Sequence, residues 1–175
     1  MSARPVNSGV TPLLKMVNGL KIEPAVETFA EIAQRYCSWA ESPFGESRDE
    51  MLTARRLLAE LHRAAIDLPD MGPGEDTEDA VSADGWAAVR GRFLRLPVDG
   101  YWDVFNPLEE EAPVFNSLAD DLSDIYRDLK EGLLLYARGQ VVEAVWEWRF
   151  NFEIHWGAHL TGAQRAVHAY FSNET

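Results

Sequence analysis

The sequence predicts an all-α fold, a single-domain bundle of about five helices with a long C-terminal helix hairpin. Apolar residues recur at three- and four-residue spacings in five segments, the period of a buried helix face. Helix-start patterns stand at the heads of several segments, and Pro- or Gly-rich stretches fall between them. With 175 residues, 46% of them hydrophobic and 11% aromatic, the chain can bury a core of its own.

Pro24 suits the first position of a helix over 24–41, whose apolar stripe is Val26, Phe29, Ile32, Ala33, Tyr36 and Ala40, and Ser42-Pro43-Phe44-Gly45 ends it. Ser47 with Glu50 forms a capping-box pattern ahead of a second helix over 48–67. Residues 68–80 are rich in Pro, Gly and acids and predict a surface loop. Seven acids from Asp67 to Asp84 do not follow the order of a calcium-binding loop and suit a solvated charge run. A third helix fits 83–95, closed by Pro97. Tyr101 to Pro107 predicts an aromatic loop, with a hairpin over Phe93–Phe105 turning at Asp99-Gly100 as the alternative. Ser117 with Asp120 heads a helix over 118–137 that Gly139 terminates, and a final helix fits 140–171, with Gly157 and Gly162 as points of bending or close approach.

The formal net charge is −13, from 29 acidic and 16 basic residues, a field that repels phosphate backbones and anionic headgroups. The expectation is therefore no nucleic acid and no membrane as partners; a protein partner or a homodimer stays open. Cys37 has no Cys or His neighbour at metal-ligand spacing and predicts a core or boundary thiol in a reducing cytoplasm. Residues 1–23 lack the apolar run of a secretory signal and are expected to be a flexible arm ahead of one helical domain over 24–175.

Polar chemistry gathers in one place. On a wheel of about 100° per residue, the last helix buries Val145, Trp148, Phe152, Trp156, Leu160, Ala163 and Val167, yet Arg149 and His159 fall inside that face and Glu153 and His155 at its margins. Asp121, Asp124 and Asp128 repeat along one edge of the preceding helix, at the same height once the two helices form an antiparallel hairpin. The first reading of this layer is structural: Arg149 paired with the aspartates and the histidines hydrogen-bonded within the bundle. A second reading is a divalent-metal site, because His155 and His159 stand at i and i+4 with Asp121, Asp124 or Glu153 as oxygen ligands, and its chemistry would be hydrolysis of a phosphate ester or anhydride. A third is a binding or adaptor module, with Arg149 receiving an anionic ligand or the aromatic loop 101–107 receiving a partner. His62 and His168 read as packing or surface residues.

The strings Ser117-Leu118-Ala119-Asp120-Asp121-Leu122-Ser123-Asp124-Ile125-Tyr126-Arg127-Asp128-Leu129-Lys130 and Trp146-Glu147-Trp148-Arg149-Phe150-Asn151-Phe152-Glu153-Ile154-His155-Trp156-Gly157 resemble a bacterial family described only as a domain of unknown function, DUF5063. The resemblance covers residues 25–171. It implies a bacterial cytosolic domain and transfers no functional residue.

Overall fold

Pro24 opens helix α1 (Pro24–Glu41) in a computed structural model that describes residues 23–72, 81–104 and 106–173, with the backbone of 16–17 and 20–21. The elements that follow are α2 (Ser47–Ile66), α3 (Ala83–Phe93), α4 (Leu118–Ala137), α5 (Val141–Asn151) and α6 (Gly157–Asn173). Upstream, the backbones of β1 (Met16–Val17) and β2 (Leu20–Lys21) pair antiparallel; the rest of the expected arm and most of the acidic loop, residues 73–80, lie outside the described residues. The fold is the expected helical bundle with a C-terminal helix hairpin.

Helix α4 is the central element and packs against α1, α3, α5 and α6. Its buried stripe of Leu118, Leu122, Ile125 and Leu129 meets Phe29 and Tyr36 of α1, Trp148 of α5 and Trp156 in one core. Large aromatics with polar atoms need partners there, and they find backbone carbonyls. Tyr36 Oη donates to Leu122 O at 2.8 Å, Trp148 Nε1 to Leu129 O at 3.1 Å and Trp156 Nε1 to Trp148 O at 2.9 Å. Cys37 is fully buried in the same core.

Three expectations change. The capping box at Ser47 does not form: Ser47 is already helical, and Glu50 instead accepts from Gly45 N at 2.7 Å, Trp39 Nε1 at 2.6 Å and Arg92 Nη2 at 2.8 Å. A buried guanidinium from α3 outcompetes a local cap, because an unpaired charge there would be far costlier than a missing cap. The aromatic loop is in part a strand: β3 (Gly100–Asp103) pairs antiparallel with β4 (Val114–Ser117), so the hairpin turns after Asp103 rather than at Asp99-Gly100. Period two explains this, since Tyr101 reaches inward while its neighbour Trp102 is 66% exposed and meets Phe115 edge-on across the pair.

The last helix is not continuous. Phe152–Trp156 form a π-helical turn between α5 and α6, which spreads one extra residue over that turn and rotates everything after it on the wheel. Gly157 closes the turn, where a Cβ would lie only 2.2 Å from Phe152 O.

Candidate metal centre

The π turn decides which side chains share a face. A uniform wheel places Arg149 with His159; the inserted residue separates them. Arg149, ahead of the turn, donates through Nη1 to the carbonyl of Leu68, two residues past α2, and lines a cavity of about 190 Å³ with Asp70, Met71, Trp146, Phe150 and Glu153. The expected pairing of Arg149 with the aspartates is therefore absent among the described residues, and Glu153 is exposed beside Arg149 rather than among them. Past the start of the turn, His155 and His159 both face the acid edge of α4, their rings edge-to-face with centroids 4.8 Å apart.

Each imidazole is held by a buried carboxylate. His155 Nδ1 lies 2.6 Å from Asp128 Oδ2, and His159 Nδ1 lies 2.9 Å from Asp121 Oδ1. Asp128 and Asp121 are only 4% and 5% exposed, so the acceptor side of each contact is shielded from water and fixes ring orientation. With Nδ1 engaged on both rings, Nε2 of each makes no hydrogen bond among the described residues. The third aspartate behaves differently: Asp124 Oδ1 accepts from Trp86 Nε1 of α3 at 3.3 Å, while Oδ2 faces His159 Nε2 at 3.9 Å. Ligand atoms from Asp124, His155 and His159 lie within 4.8 Å of one another, and all three residues are partly exposed.

A further shell reaches the β3–β4 hairpin. Tyr101 Oη donates to Asp121 Oδ2 at 2.7 Å, and burial, followed by the Asp121 charge, raises the phenol far above its ordinary range and keeps it a donor. Asp103 and the Trp102 carbonyl receive Arg165 of α6, which anchors the hairpin. Gly162 makes the approach possible, because a Cβ there would fall 2.1 Å from Tyr101 Oη. Gly162→Ala is expected to displace Tyr101 and cost about 1–3 kcal/mol as an overpacked contact, read as a lower urea midpoint at unchanged slope. The hydrogen bond to Asp121 works first to raise His159 above its usual 6.5, with burial opposing it. Burial pushes Asp128 upward, against its bond to His155. Glu131, one turn on, is likewise raised by burial despite accepting from Val81 N.

Of the residues singled out in the sequence, the structure thus brings together Asp121, Asp124, Asp128, His155 and His159 and sends Arg149 and Glu153 elsewhere. Sequence reasoning named Tyr101 only within the aromatic loop and left Trp86 out, and placed neither in this layer, which they reach from separate elements. Nothing in their local spacing, one in a short strand and the other on a short helix, points to the aspartates. His62 pairs with Gln164 at 3.0 Å and His168 is exposed beside Ser172, away from the centre.

The family model of the domain of unknown function DUF5063 matches residues 21–173. The chain belongs to this family. Among solved structures, the DUF5063 chain is similar to protein BF1032 from Bacteroides fragilis, at 22% identity and a TM-score of 0.71, covering 85% of this chain and 96% of that one. That likeness shows the fold alone. No curated protein matches the chain. The family description names no activity, so the chemistry of this DUF5063 member rests on its own residues. No helix of the described residues is long and apolar enough to cross a membrane.

Proposed function

We propose that the chain holds one divalent transition-metal ion through His155 Nε2, His159 Nε2 and a carboxylate oxygen of Asp124, with Asp128 and Asp121 orienting the two rings. The single observation behind this reading is the pair of Nδ1-to-buried-carboxylate contacts, the arrangement that tunes metal-bound histidines. A purely structural network needs one hydrogen-bonded imidazole per aspartate; it does not need a third carboxylate 3.9 Å from His159 Nε2 with a ligand atom of His155 within 4.8 Å of both. Donors about 2.0–2.2 Å from an ion lie roughly 3–3.5 Å apart, so loading draws the three in by about an ångström. Two imidazoles and one carboxylate leave coordination positions for water, and an ion of this kind acidifies bound water toward neutral pH. Hydrolytic chemistry follows from that acidity.

Titration calorimetry and thermal unfolding with zinc, manganese, cobalt and magnesium test the reading. Binding of one equivalent of a transition ion, with a rise in Tm, supports it; no binding or shift across the panel sinks it. The affinity has a direction in pH as well. His159 must be deprotonated to ligate and its proton is held more tightly than usual, so affinity falls as pH drops through values above and then below 6.5. For one displaced proton the slope is about tenfold per pH unit, measurable by calorimetry in buffers of different ionisation enthalpy.

A further inference from the structure

We infer that the centre receives a phosphoryl group, with one oxygen on the ion and the guanidinium of Arg127 taking the others. The inference rests on the metal reading above. Arg127 belongs to α4, one residue before Asp128 and three after Asp124, and stands at the edge of the ligand set. Its Nη2 is 3.3 Å from Asp124 Oδ1 and its Nε is 3.7 Å from Asp128 Oδ1. Among the described residues these are ion-pair contacts only, and neither has the geometry of a hydrogen bond. The side chain is 37% exposed, so a planar fork of donors stays available to solvent beside the ion. Arg90, the next cation along α3, is committed to Asp120.

Loading with the ion makes the centre able to tolerate an anion on a chain of net charge −13. With neutral histidines, the ion and Arg127 together balance Asp121, Asp124 and Asp128. Before loading, the same layer is negative and repels an anion, so phosphoryl binding is conditional on the metal. The geometry also selects the anion. A carboxylate that gives one oxygen to the ion has one left for the guanidinium, whereas a phosphoryl group keeps two for the bidentate contact that arginine favours. Trp86, donating to the same oxygen of Asp124 that Arg127 faces, forms the aromatic side of the approach.

The test uses the full chain loaded with manganese, inorganic phosphate as probe, and two readouts. Electron paramagnetic resonance counts bound manganese, and broadening of the phosphate phosphorus resonance reports phosphate beside it. Wild-type protein is expected to bind phosphate at least tenfold more tightly with manganese than without, and acetate much less. Arg127→Gln should bind manganese no more weakly, because a competing positive charge is gone, and lose phosphate affinity by tenfold or more. Manganese binding with no phosphate broadening, or with phosphate affinity equal in wild type and Arg127→Gln, overturns the phosphoryl inference and leaves the metal centre standing. Failure to bind manganese or any other transition ion removes both.

Discussion

Arg92→Ala is expected to destabilise the protein by about 3–5 kcal/mol, because it strands a buried carboxylate. The Arg92 and Glu50 side chains are 9% and 7% exposed, and Arg92 Nη2 contacts both oxygens of Glu50 at 2.9 and 2.8 Å. Arg92 Nε also donates to Ser42 O at 2.6 Å, which ties α3 to the α1–α2 turn, and the guanidinium lies 5.2–5.5 Å from the ring centres of Trp39, Phe44 and Phe93. Losing the arginine removes packing as well as charge. Urea unfolding of Arg92→Ala and Arg92→Leu separates the two effects; a loss below about 1 kcal/mol in both would show that the pair carries no weight. The same pair shapes acid unfolding. Burial works to raise Glu50, but Gly45 N–H, Arg92 and Trp39 outweigh it and bring the carboxyl below 4.5. A lowered folded value means that the stabilisation is present above 4.5 and is lost as pH falls through the folded value. Glu50→Gln should therefore flatten the acid limb of stability against pH.

The second large effect is on metal affinity. His155→Ala with His159→Ala is expected to lower divalent-ion affinity by more than about a hundredfold, since removing only an orienting partner costs about 10–100-fold. Asp128→Asn supplies that smaller loss while leaving Asp124, His155 and His159 in place. The double variant should also be less stable without metal, because Asp121 and Asp128 stay buried without their imidazoles, at about 1–3 kcal/mol each. Calorimetry on folded samples checked by circular dichroism reads both. An unchanged affinity in the double variant would place any bound ion elsewhere.

The helices were legible because their stripes are long and regular: Val26 to Ala40 and Leu118 to Leu129 fix α1 and α4, and Ser117 caps α4 by accepting from Asp120 N at 3.3 Å. The hairpin was obscured because β3 and β4 hold four residues each and are joined by a charged segment too long to read as a tight turn. In the candidate centre, the i, i+4 histidines and the aspartate edge were visible in the sequence. Arg149 was misplaced for one reason, the π turn, whose extra residue no periodic count anticipates. The same turn sets His159 on a different face from Arg149, while the i, i+4 spacing keeps His155 and His159 together. Contacts made by Tyr101 and Trp86 depend on tertiary docking of a hairpin and a short helix, for which local spacing carries no information.

The most direct test of the metal centre is anomalous diffraction from crystals grown or soaked with zinc or manganese. The account predicts one peak between α4 and the start of α6, about 2.0–2.2 Å from an Asp124 oxygen and from Nε2 of both His155 and His159, with Nδ1 of each ring still on Asp128 and Asp121. An ion bound only at the acidic segment after α2, or no peak with both histidines bonded solely to their aspartates, would contradict it.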